Sequence, residues 1–171
     1  METINGIFKV KMCKEEIINR IEQHLKEGGD INVKIKGGSL LHKATLIELA
    51  PTRIPVIEYL LDKGIDVNMK NENGRTPLFR FIYHNNNKLT NKLLDAGADV
   101  NVVDNAGEDI LNRVYNACTN LKTTARIFEL TNEVTISQER FDRIVSQLYK
   151  YYSVEKVQEA LGTTKLLRYW I

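Results

Sequence analysis

Apolar residues recur along this chain at helical spacing, interrupted by short polar breaks that contain glycine. Ile17, Ile18, Ile21 and Leu25 fall on one side of an amphipathic helix over residues 14–27. Ile57, Leu60 and Leu61 form the apolar face of a second run, and Leu89, Leu93 and Leu94 that of a third. Each run stops at glycine, the residue that most easily takes the positive φ with which many helices end. Farther on, Ile136, Phe141, Ile144, Val145 and Leu148 predict a helix capped by Thr135 or Ser137. Val154, Val157 and Leu161 predict another, opened at Ser153 and closed at Gly162.

The breaks repeat. Gly29-Asp30-Ile31-Asn32, Gly64-Ile65-Asp66-Val67-Asn68 and Gly97-Ala98-Asp99-Val100-Asn101 share one order, and their aspartates lie 36 and then 33 residues apart. A period in this range indicates stacked repeats. After two of them comes a polar turn with a second glycine, Asn71-Glu72-Asn73-Gly74 and Asp104-Asn105-Ala106-Gly107. A new helix then opens. In the central copy Thr76 suits the N-cap and Pro77 the first helical position, where a missing N–H costs little. The interval from Ser39 to Gly64 is four residues longer than that from Thr76 to Gly97. Pro51 and Pro55 fall in the longer interval and predict an extended loop between helices over residues 50–55.

These residues carry a resemblance. Asn71-Glu72-Asn73-Gly74-Arg75-Thr76-Pro77-Leu78-Phe79 resembles the polar turn and Gly-x-Thr-Pro-Leu-His signature of the ankyrin repeat. Leu93-Leu94-Asp95-Ala96-Gly97-Ala98-Asp99-Val100-Asn101 is similar to its second half almost letter for letter. Ser39-Leu40-Leu41-His42-Lys43-Ala44 keeps the histidine and alanine and lacks the proline, and a further copy opens at Gly107-Glu108-Asp109-Ile110-Leu111 and soon departs. The likeness covers roughly residues 14–131 and is strongest over 56–111. It implies an all-α fold, an ankyrin-repeat solenoid of about three helix-pair repeats with short hairpin turns. Residues 1–131 would hold the repeats, the first one degenerate, and residues 132–171 a non-repeat helical C-terminal cap. Phe79 replaces the histidine of the signature and Phe81 a small residue, so local repacking is expected there.

Composition narrows the function classes. The 171 residues are 43% apolar and 27% charged, ordinary for a globular domain that needs no disulfide or metal staple. The net charge is +2, and the lysines near the start (Lys9, Lys11, Lys14, Lys34, Lys36) are too dispersed for a nucleic-acid footprint. The opening METINGIFKVKMC lacks the features of a signal peptide, and no apolar stretch is long enough to span a bilayer. A cytoplasmic protein with no membrane and no nucleic-acid partner is expected. Cys13 and Cys118 are far apart, without metal-ligand spacing, and read as free thiols of a reducing compartment.

Candidate chemistry is sparse. Neither cysteine has a recognisable base beside it, and three isolated histidines do not make a zinc site. His24 and His84 are expected to face solvent, while the resemblance implies a structural His42 bonded to the backbone of a neighbouring turn. Gly28-Gly29 and Gly37-Gly38 lack the spacing of a phosphate loop. No catalytic residue, cofactor or metal is expected, so the chain is read as a binder rather than an enzyme.

The resemblance implies that hairpin tips and inner helices form the binding surface. Carried onto this chain, the tips are Lys34 and Lys36, then Met69, Lys70, Glu72, Asn73 and Arg75, then Val103, Asn105 and Glu108. The inner-helix positions are Lys43, Leu46 and Ile47, then Arg80, Tyr83 and His84, then Arg113 and Asn116. Arg80 and Tyr83 stand one helical step apart and are residue types that dominate interfaces. A basic row of Lys43, Arg80 and Arg113 points to an acidic partner. Tyr149, Tyr151, Tyr152, Tyr169 and Trp170 either seal the last repeat or form a contact patch. The expected function is binding by a free monomer that sequesters or inhibits a partner protein, since small ankyrin proteins of this kind resemble the immunity partners of bacterial toxins. Alternatives are a secreted effector or viral decoy that binds a host protein, or an enzyme housed in the C-terminal forty residues, a segment short for an independent active site.

Overall fold

A computed structural model describes Phe8 and residues 12–117, 120–131 and 137–162. Among the described residues there are nine helices and no strand, in agreement with the all-α expectation. The chain divides into two compact units, residues 1–77 and 78–171.

The first unit holds α1 (Lys14–Lys26), α2 (Leu40–Ala44) and α3 (Ala50–Asp62). Both α1 and α2 pack against α3. Ile17 and Ile21 of α1, Leu40, Leu41 and Ala44 of α2, and Val56, Ile57 and Leu60 of α3 are buried between them. Each fully buried Leu or Ile contributes about 1.5–3 kcal/mol, enough for a five-residue α2 to hold its place. The prolines do not make a loop. Pro51 falls in the first turn of α3, where no N–H partner is needed, and Pro55 lies inside the helix. Only the bond from position 55 to the Pro51 carbonyl is lost, and the burial of Thr52, Val56, Ile57 and Leu60 offsets it. The connection between α2 and α3 is Thr45–Leu49 instead.

The helix-ending glycines behave as their pattern requires, with φ of +82° at Gly28, +75° at Gly64 and +84° at Gly97. In the first copy the left-handed residue is thus Gly28. Gly29 serves a different purpose: a side chain there would start 2.0 Å from the His24 ring. His24 is half-buried rather than solvent-facing, its Nε2 3.1 Å from the Asp30 carbonyl oxygen at the end of its own helix.

The second unit contains α4 (Pro77–Tyr83, whose first residue closes the first unit), α5 (Asn87–Asp95), α6 (Ile110–Ala117), α7 (Leu121–Leu130), α8 (Gln138–Leu148) and α9 (Val154–Leu161). Phe79 and Phe81 are both buried, so rings fill the space that histidine and a small residue take in the signature. Asn85 takes a positive φ of 50° and Asn86 caps α5 by accepting from the Leu89 N–H at 3.2 Å, which turns the polar Asn85-Asn86-Asn87 run into a tight helix junction.

The C-terminal helices pack in the order of the repeats. α5 lies on α7 and α7 on α9, while α6 lies on α8. Ser137 and Ser153 cap α8 and α9, accepting from the N–H groups of Arg140 and Lys156. Gly162 closes α9 with an ordinary φ of −66°. Buried Phe141, Ile144, Val145 and Leu148 on α8 are backed by exposed Glu139, Asp142, Arg143 and Ser146. α8 thus buries one apolar face and turns a polar one outward. Thr135, Ile136, Tyr169 and Trp170 lie outside the described residues.

Candidate protein-binding surface

The repeated Asp-x-Asn is a hydrogen-bond motif. Asp30, Asp66 and Asp99 each accept from the N–H of the asparagine two residues on, at 2.8 Å in all three copies. Asn32 then accepts from the Asp66 N–H at 2.7 Å, which ties successive copies of the first unit together. In the second unit the Asn101 amide donates to the Leu130 carbonyl at 3.3 Å.

The two full-length hairpins are built alike. Asn71 Oδ1 accepts from the N–H groups of Asn73 and Arg75, at 2.9 and 3.1 Å. Asp104 Oδ1 does the same for Ala106 and Glu108, at 2.8 and 2.9 Å. Side-chain oxygens thus satisfy both turns from within. Lys70, Glu72 and Asn73 are exposed in one tip, with Met69 and Arg75 half-buried. Val103 and Asn105 are exposed in the other, with Glu108 half-buried. The first hairpin is tighter: Ile35 and Gly38 exchange backbone hydrogen bonds at 2.8 and 2.9 Å, and Lys34 and Lys36 are exposed.

In the first unit His42 is structural. Its Nδ1 accepts from the Ser39 N–H at 3.1 Å, so the proton resides on Nε2, which donates to the Arg75 carbonyl at 2.9 Å. Burial holds the ring below the ordinary imidazole range, against the opposing pull of that carbonyl. Beside it Lys43 is half-buried, Leu46 exposed and Ile47 half-buried. Arg53 Nη1 donates to the Ile47 carbonyl at 3.1 Å and so holds the connection that presents Leu46 and Leu49 to solvent.

In the second unit the structure brings four of the sequence-predicted residues together. The Tyr83 ring, 62% exposed, meets the His84 ring edge-on at 5.1 Å. The Arg113 guanidinium lies over the Tyr83 face, 5.6 Å from its centroid, and pairs with the Glu108 carboxylate. The Arg113 side chain is only 14% exposed. Arg113 is therefore not a free cation of a basic row: Glu108 meets its charge and Tyr83 covers its plane. Arg80 is exposed and makes no ion pair among the described residues. Asn116 lies on α6, its side chain outside the described set.

Sequence reasoning missed two features. Asp109 caps α6, accepting from the Asn112 N–H at 2.9 Å, and is gripped by Arg140 of α8, whose Nη2 donates to both carboxylate oxygens at 2.7 Å. The cap was legible from Asp109 ahead of an apolar run, but nothing local names Arg140. Between α7 and α9 lies an open groove of about 1000 Å³ floored by Leu121, Ala125, Tyr152 and Ala160. Its rims carry Lys122, Glu129, Lys156 and Glu159, a mixture without charge preference. Thr76 stands at the N-cap of α4, yet its buried hydroxyl finds no hydrogen-bond partner. Cys13 is an exposed thiol, and Cys118 lies outside the described residues. Among the described residues no three His, Cys, Asp or Glu groups are placed to hold a metal, and no helix is long and apolar enough to cross a membrane.

Residues 11–104 match the family described as ankyrin repeats in three copies. The chain belongs to the ankyrin-repeat family. Ankyrin repeats are protein–protein interaction modules, and the family is generally non-catalytic. The chain is 35% identical over 91 residues to an ADP-ribosylation factor GTPase-activating protein of Arabidopsis thaliana, covering 53% of this chain and 11% of that protein. It is 39% identical over 61 residues to an ankyrin repeat protein of fowlpox virus, covering 36% of this chain and 23% of the viral one. An ankyrin repeat-containing protein of Schizosaccharomyces pombe is 28% identical over 108 residues, covering 56% of this chain and 51% of its own. The ankyrin chain thus spans well under two thirds of the length of each relative.

Proposed function

We propose that this ankyrin-repeat chain is a non-catalytic binder that holds one acidic partner protein stoichiometrically, as inhibitor and immunity proteins do. The observation that carries the reading is Tyr83, largely exposed yet braced by Arg113 over its face and His84 at its edge, with exposed Arg80 one helical step away. Tyrosine and arginine are the residues that dominate interface energies. A ring already braced loses little freedom on binding, which lowers the entropic cost of association. Arg80 makes no ion pair among the described residues and supplies positive charge in the second unit, and Lys34, Lys36, Lys43 and Lys70 supply it in the first; positive charge of this kind steers an acidic partner. Leu46, Asn73, Val103 and Asn105 are the accessible positions that supply shape and hydrogen bonding.

In this reading residues 1–131 carry the binding repeats, residues 132–171 seal the stack, and the chain works as a monomer in the cytoplasm. The likeness to a fowlpox virus protein supports a second reading, in which the same surface serves a viral decoy or effector and the partner belongs to a host.

The test is affinity capture from native lysate, followed by titration of the captured partner with the double variant Arg80→Glu, Tyr83→Ala. The variant should fold normally and bind about 2–4 kcal/mol more weakly. Unchanged affinity would place the interface elsewhere, and turnover of a substrate without any partner would refute a non-catalytic role.

A further inference from the structure

The turn at Ile35–Gly38 leaves the Gly37 backbone N–H to a partner outside it. Ile35 and Gly38 pair with each other, whereas the Gly37 N–H donates to the Glu72 carboxylate of the next hairpin at 3.3 Å. Gly37 has a φ of +88°, and the Lys43 ammonium lies 3.5 Å from the point where a side chain on Gly37 would begin. The positive φ favours glycine, because any other residue would strain the turn. Gly38, with φ of +123°, is pressed against the His42 ring, so the turn is held by the same histidine that bonds Arg75. Exposed Lys34 and Lys36 flank it, and exposed Lys70 stands on the neighbouring hairpin. A carboxylate of the chain itself is thus seated on an amide donor in a basic setting.

We propose that the Gly37 turn, with Lys43, is a carboxylate-binding site for an acidic segment of a partner protein, and that Glu72 is its internal stand-in. The proposal rests on the acidic-partner reading above and adds a place and a form of regulation to it. Glu72 and the incoming carboxylate compete for one donor set, so the chain's own acid raises the threshold for binding and favours partners whose acids are clustered. A carboxylate is preferred to a phosphate as the ligand because a carboxylate is what the turn already accommodates. The contact is exposed and charged, so added salt should weaken it.

The test uses the full chain, labelled with ¹⁵N, and a fluorescent deca-glutamate peptide at low ionic strength. Glu72→Ala should bind the peptide about threefold more tightly than the unaltered chain, the size of effect that one exposed charge pair exerts. Lys43→Gln should bind it more weakly, and the Gly37 amide resonance should move as peptide is added. Thermal melts matching the unaltered chain establish that neither variant is misfolded. Peptide binding that ignores Glu72→Ala and Lys43→Gln and leaves the Gly37 resonance still, yet is lost in Arg80→Glu, would overturn this site and leave the acidic-partner reading standing. Binding of a deca-lysine peptide or a single-stranded oligonucleotide in place of deca-glutamate would overturn both.

Discussion

His42 Nε2 stands 2.9 Å from the carbonyl oxygen of Arg75, 33 residues along the chain, and so fastens an inner helix of one repeat to the hairpin of the next. The same position in the second copy is Phe79, buried and without a ring nitrogen, and in the third it is Asn112, whose Oδ1 accepts from Arg140 at 3.3 Å. One site in the repeat thus links outward through a ring nitrogen in the first copy and a side-chain amide in the third, and is filled by a buried ring in the second.

His42 makes stability depend on pH. Burial lowers its pKa from the ordinary 6.5, so the unfolded chain binds the proton more tightly than the folded one. The contribution is complete above about pH 6.5, declines as the pH falls below it, and levels off under the folded value. Urea unfolding of the ankyrin chain and of His42→Gln at about pH 7.5 and about pH 5.5 separates this group from other titrations. The advantage of the unaltered chain should shrink on acidification. An advantage that stays constant would mean the ring is not the titrating group.

Tyr83 is expected to matter for display more than for stability. Its ring is mostly exposed and its main partner is one guanidinium, a contact worth about 0.5–1 kcal/mol at such a site. Tyr83→Ala should lower the unfolding free energy by no more than about 1 kcal/mol. A loss of several times that would make the ring part of the fold and weaken its assignment as a binding anchor.

Pro55 should be improvable. Alanine there restores a donor for the Pro51 carbonyl and removes the ring from the helix interior. The unfolded chain gains freedom in return, which takes back part of the gain. We expect Pro55→Ala to raise stability by about 1–2 kcal/mol, read as a higher denaturant midpoint at unchanged slope. A lower midpoint would show that the ring's packing outweighs the missing bond.

The Asp109–Arg140 pair fastens α8 to the start of α6, with both side chains largely shielded. Arg140→Met, Asp109→Asn and the double variant form a cycle, in which asparagine retains the N-cap function. A coupling of about 1–3 kcal/mol is expected for a shielded, charge-assisted pair. If Arg140→Met costs the same in either background, the two residues act independently and another contact holds α8.

Much of this fold was written in short stretches of chain. The 33- to 36-residue echo, the glycine at each helix end, the asparagine and aspartate turns, and the serine caps of α8 and α9 could all be read directly. Each depends on backbone angles and hydrogen bonds among residues only a few positions apart. The exposure of Arg80 and Tyr83 was implied by the resemblance to the ankyrin repeat. Tertiary packing alone decided the rest. It kept Pro55 inside a helix because Thr52, Val56, Ile57 and Leu60 are buried around one lost bond. It withdrew Arg113 from the basic row by setting it between Glu108 and Tyr83, and it matched Asp109 with Arg140. Packing also placed Glu72 on the Gly37 amide. These partners lie on different helices and hairpins, so whether a charge is free or met is settled only when packing brings distant segments within a few ångströms of one another.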